Sequence, residues 1–72
     1  MTDKQRQALG LNITTKLFKK KMTQKELASK VGCSPEYISM VIYGAKTPSL
    51  AKFLRIAAAL GCTTDELLKE SK

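Results

Sequence analysis

The chain has 72 residues, with 13 Lys or Arg against 6 Asp or Glu and no histidine, a formal net charge of +7. A chain this short forms one domain, buries only about 60% of the surface its unfolded form exposes, and leaves little room for a deep enzyme pocket. Its 43% hydrophobic content is too rich for a disordered tail. No apolar run is long enough for a membrane span, and the polar opening MTDKQRQ lacks a signal peptide's apolar stretch, so the cytoplasm is the expected compartment.

No segment alternates apolar and polar residues with the β-branched enrichment of a strand, which predicts an all-α domain over residues 1–72. Leu9, Ile13 and Leu17 recur at four-residue spacing within Asp3 to Lys20 and mark the core face of a first helix, with Gly10 a weak point in it. Thr23 and Glu26 form a capping box that starts a second helix, whose stripe is Leu27, Ala28 and Val31 and whose end is Gly32. Ser34 followed by Pro35 is a cap and a preorganised first helical residue, so a third helix runs from Pro35 to Tyr43 and stops at Gly44. Ser49 caps a fourth helix, in which Leu50, Phe53, Leu54, Ala57 and Leu60 follow the helical period up to Gly61. Thr63 and Glu66 form a second capping box, from which Leu67 and Leu68 fold a short fifth helix back onto the core, and the last few residues are expected to fray. Cys33 and Cys62 are read as small buried hydrophobes.

Catalytic chemistry finds no foothold. There is no histidine, most of the six carboxylates stand at caps or chain ends, and the hydroxyls of Thr23, Ser34, Ser49 and Thr63 are occupied as caps. The glycines at 10, 32, 44 and 61 are too dispersed for a phosphate-cradling loop, and two cysteines are too few soft donors for a zinc site. The expectation is therefore no enzyme, small-molecule substrate, cofactor or metal.

Charge is unevenly placed. Residues 16–30 hold six lysines (16, 19, 20, 21, 25 and 30) against the single acid Glu26, a local net of +5, whereas residues 31–45 contain no Lys or Arg. A clustered basic face held on a rigid shape suits phosphate contact, so if the chain binds DNA directly, Lys19, Lys20, Lys21, Lys25 and Lys46, which flank the segment Gln24 to Tyr43, are the expected backbone contacts. The shape is legible over Gln24 to Tyr43. Counting Gln24 as one, the fifth residue is the small Ala28, the ninth is Gly32, and the fifteenth and eighteenth are the β-branched Ile38 and Val41. Two helices crossing around a short turn need a small residue at the crossing, a glycine in the turn, and anchors on the inner face of the second helix.

The stretch MTQKELASKVGCSPEYISMVIYGAKTPSLAKFLRIAAALGCTTDELL resembles the Cro/CI-type (XRE-like, lambda-repressor-like) helix-turn-helix family, with Gly44, Pro48 and Ser49 and the Leu60-Gly61 end of helix four in that family's pattern. The resemblance implies a five-helix, lambda-repressor-like domain, a dimer on a palindromic double-stranded operator, and helix three in the major groove. It implies that Gln24 touches a phosphate, that Lys46 and Thr47 lie beside the backbone, and that Pro35, Glu36, Tyr37, Ser39, Met40 and Tyr43 face the bases. It also implies a place at the nucleoid of a bacterial host cell.

Helix three departs from that pattern. Pro35 has no side-chain donor where relatives often carry a long polar reader, and Glu36 can accept from a cytosine amino group but repels phosphates. Met40, Ile42 and Tyr43 give it an apolar and aromatic surface where relatives commonly place polar residues at the last two positions. Two readings follow: a sequence-specific transcriptional regulator such as a small phage Cro-like protein, or an antirepressor whose helix three binds a cognate phage repressor and blocks its operator contacts.

Overall fold

The computed structural model describes residues 1–70 and consists of five helices in the order α1 (Asp3–Lys20), α2 (Gln24–Val31), α3 (Pro35–Ile42), α4 (Leu50–Leu60) and α5 (Thr64–Leu68), with no strand among the described residues. The fraying expected of the chain end concerns Ser71 and Lys72, outside the described residues.

Local chemistry starts and stops these helices. Thr23 Oγ1 accepts the Glu26 N–H at 3.1 Å while Glu26 Oε1 accepts the Thr23 N–H at 3.0 Å, completing the capping box at α2. A further box, Thr2 with Gln5, opens α1. Gly32 ends α2 in the left-handed region at φ +84°, where its N–H and that of Cys33 both reach the Ala28 carbonyl, at 2.8 and 3.0 Å. Ser34 Oγ then caps α3, which ends one residue earlier than expected because Tyr43 has left helical geometry and serves as the C-cap. The expected second box at α5 forms only by half. Thr63 Oγ1 accepts the Glu66 N–H, but the Glu66 carboxylate turns to Lys16 Nζ at 3.2 Å, and that hydrogen bond holds its pKa below the usual carboxylate value. An ion pair across the domain has displaced a local reciprocal bond.

The core is filled by Leu9, Ile13 and Leu17 of α1, Leu27, Ala28 and Val31 of α2, Ile38 and Val41 of α3, Phe53, Ile56, Ala57 and Leu60 of α4, and Leu67 of α5. In α4 the expected stripe needs correction: Leu50 and Leu54 are 72% and 52% exposed, while Ile56 is fully buried. The buried arc through Phe53, Ile56, Ala57 and Leu60 is about 100° wide at 100° per residue, which leaves Leu54 outside it and Leu50 in the first turn, short of any covering neighbour. Cys33 and Cys62 are free and only half-buried, and burial pushes both thiols above their usual pKa.

Tertiary contacts absent from any local pattern fix how the helices meet. Asn12 Nδ2 donates to the Leu67 and Lys69 carbonyls at 2.7 and 2.8 Å and ties the end of α5 to α1. Gly10 lies against α3, and a methyl group there would overlap the Ile42 carbonyl oxygen and sit 2.8 Å from its carbon. Its lack of a side chain sets the separation of α1 and α3.

Candidate nucleic-acid interface

The α2–turn–α3 unit is held from beneath by Ala28, Ile38 and Val41, each at most 1% exposed, so the opposite side of α3 faces outward. Pro35 and Glu36 stand exposed in its first turn, where a carboxylate also complements the helix dipole. Met40 follows along the same helix and Tyr43 stands at its C-cap, 41% and 79% exposed.

Two residues expected among these outward readers sit differently. The Tyr37 ring is half-buried against the core, and its hydroxyl accepts the Ser49 N–H at 3.2 Å, joining the start of α3 to the cap of α4. Ser39 is also half-buried and donates from Oγ to Gln24 Oε1 at 2.9 Å. That bond occupies the acceptor end of the Gln24 amide and leaves its two N–H donors for another partner, at the N-terminus of α2 where the helix dipole favours an anion. The first turn of α2 and the outer face of α3 are thereby joined into one surface.

The cations are distributed around this surface unequally. Lys25 is exposed beside Gln24, and Lys46 Nζ lies 5.6 Å from the centre of the Tyr37 ring, with exposed Thr47 next to it. Lys19 and Lys21 are exposed at the end of α1. Lys16 is engaged by Glu66, and the Lys20 ammonium lies beside Gly61 at the C-terminus of α4, within 3.5 Å of where a glycine Cβ would stand. Lys21 is the one non-glycine residue with positive φ among the described residues, at +54°, and its left-handed backbone ends α1. The α4 cations Lys52 and Arg55 point to the Gly32 and Val31 carbonyls, at 3.4 and 3.5 Å, and so to the end of α2. The roles of Asn12 and Gly10 in orienting the helices are not legible along the chain, because their partners lie 30 or more positions away. The left-handed Lys21 had no distinguishing residue type.

Residues 16–67 match the helix-turn-helix family. Among curated proteins there is no significant match. Solved structures are similar over most of the chain. The hypothetical transcription factor NHTF from Neisseria superposes with a TM-score of 0.86 at 30% identity, covering 92% of this chain and 76% of that one. The clp gene regulator ClgR from Corynebacterium glutamicum gives 0.82 at 32% identity, with 88% and 67% covered. The restriction-modification controller protein C.AhdI from Aeromonas hydrophila gives 0.81 at 27% identity, with 86% and 94% covered. With a family match over most of its length and transcription regulators as structural neighbours, the chain belongs to the XRE-like, Cro/CI-type helix-turn-helix family and is a DNA-binding transcriptional regulator, not an enzyme.

Proposed function

We propose that the chain is a sequence-specific regulator that lays α3 in the major groove of a palindromic operator as a homodimer, in a bacterial cytoplasm. The observation that supports this reading is the Ser39–Gln24 bond, which engages the Gln24 carbonyl and leaves its amide donors available beside Lys25 at a helix N-terminus. Lys19, Lys21, Lys25, Lys46 and Thr47 then contact phosphates around it, with Lys20 a lesser contributor because its ammonium is drawn to the end of α4. Glu36, Met40 and Tyr43 face the bases, Pro35 contributes packing only, and Tyr37 and Ser39 act by orienting the loop and Gln24. The exposed side of α4, with Leu50, Ala51, Leu54 and Ala58 carrying no charge, is the surface on which two such cationic protomers can meet.

Selection of sites from a random duplex pool tests the reading. The parent should enrich one palindromic sequence, and Glu36→Gln should alter base preference at a single position in each half-site, at about 1–3 kcal/mol of discrimination. Enrichment of nothing above bulk DNA would remove the major-groove role. A second test uses Lys21. A left-handed backbone costs a non-glycine residue about 1–2 kcal/mol, so Lys21→Gly should hold or raise the melting temperature while weakening binding to all duplexes alike. Loss of stability together with unchanged DNA affinity would refute a phosphate contact at that position.

The exposure of Met40 and Tyr43 in a segment without Lys or Arg supports a second reading, an antirepressor of phage origin that binds a cognate repressor through α3. That reading requires release of the repressor from its operator by a chain that selects no DNA sequence itself.

A further inference from the structure

The outer side of α1 carries an apolar strip that neither the core nor the DNA-facing surface uses. Phe18 is 85% exposed and Leu11 53% exposed, seven residues apart and so on one face, about 10 Å from each other along the axis. Between them stand Thr14 and Thr15, whose hydroxyls donate to the Gly10 and Leu11 carbonyls, both at 2.9 Å. Their polarity is spent inside the helix. Leu11 and Thr14 also form one wall of a shallow groove whose other wall is Ile42 and Tyr43, at the end of α3. The groove exists because Gly10 lets the two helices approach so closely. An apolar helix face thus opens into an apolar inter-helix groove, a shape that receives the ridge of a third helix.

The charge around the strip defines the occupant. Lys4 stands at one end of it and Lys19 and Lys21 at the other, all exposed. Of the nearby acids, Asp3 is paired with Arg6, and Glu70 lies by Leu11 and Lys4. A second copy would bring lysines onto lysines in a two-fold contact, and the phosphate backbone of a duplex offers charge but no apolar surface to an exposed phenylalanine and leucine. We infer that the strip Leu11–Thr14–Phe18 with Ile42 and Tyr43 is the docking site for an amphipathic helix of a partner protein whose apolar anchors recur at i, i+4 and i+7 between acidic flanks. Where Tyr43 also faces the bases, as in the proposed DNA complex, the partner competes with DNA, but the docking itself stands apart from that reading. The inference does not rest on how α3 reads bases.

Fluorescence anisotropy of the full chain without DNA tests it, using a labelled helical peptide with Leu and Phe at those three anchor positions and Glu on both flanks, and a twin with Lys in place of Glu. The Glu peptide should bind and the Lys twin at least about tenfold more weakly, an electrostatic preference that salt reduces. Phe18→Ser should weaken the Glu peptide about thirtyfold, as for a buried aromatic anchor, with no fall in melting temperature or DNA affinity, since Phe18 lies outside the core. Leu11→Ser should act in the same direction. Equal binding of both peptides, binding of neither, or Glu-peptide binding that survives Phe18→Ser overturns the proposal. So does self-association abolished by Phe18→Ser, or Phe18-dependent binding to phosphatidylglycerol vesicles without binding to the peptide.

Discussion

Gly10→Ala is expected to destabilise the domain strongly, opposite to the direction that helix propensity sets. In an isolated helix the change would gain up to about 1 kcal/mol, because alanine loses less backbone entropy than glycine. Here the added methyl overlaps the carbonyl oxygen of Ile42, a backbone atom within a hydrogen-bonded helix end that no rotamer change can move aside. Either α3 shifts outward as a body, loosening Ile38 and Val41 from the core, or α1 bends away from it. Overpacking of this sort costs about 1–3 kcal/mol where side chains can yield and more where only backbone is available. A net loss of about 3 kcal/mol lowers the melting temperature of a domain this size by about 12–24 °C. Circular-dichroism melts of Gly10→Ala and the parent provide the check, and a variant melting at or above the parent would mean that α1 and α3 do not meet in this way.

The affinity for DNA should fall steeply with salt. Neutralising one phosphate costs about 0.9 decades of affinity per decade of salt, so the proposed contacts of Lys19, Lys20, Lys21, Lys25 and Lys46 set an upper bound of about 4.5 on the steepness of the slope per protomer, reached only if every one contributes in full. The structure ranks them. Lys25 is exposed beside the available Gln24 donors, whereas the Lys20 ammonium rests against the C-terminal end of α4, where the helix dipole holds a cation. Lys25→Ala is therefore expected to reduce the slope by about 0.9 and Lys20→Ala by clearly less, both without altering preference among sequences. Equilibrium titrations at several salt concentrations measure the slopes directly. A flat dependence, or a larger effect from Lys20 than from Lys25, would reject this basic surface.

Much of the architecture follows from short-range chemistry that can be read along the chain. Thr23, Ser34, Ser49 and Thr63 each cap a helix because the hydroxyl needs only an N–H two or three residues on. Ala28, Gly32, Ile38 and Val41 mark the helix-turn-helix because a crossing, a turn and two anchors demand those residue sizes at that spacing. The candidate interface is less legible, since side chains there choose among several partners. Tyr37 and Ser39 lie where outward readers were expected, and both are drawn into bonds with Ser49 and Gln24 across the motif.

The all-α class, the number of helices and their starts, and membership of a helix-turn-helix family are legible along the chain, because caps and periodicity act within about four residues. Packing in three dimensions settles which face of α4 is buried, since Leu54 and Ile56 are both strongly apolar and the neighbouring helices choose between them. It also decides that Glu66 leaves its cap for Lys16, that Asn12 clamps α5, and that Gly10 is a close contact and not a helix defect. Each of these joins residues 30 or more positions apart, and such pairings depend on how packed helices bring their surfaces together, which no local spacing encodes.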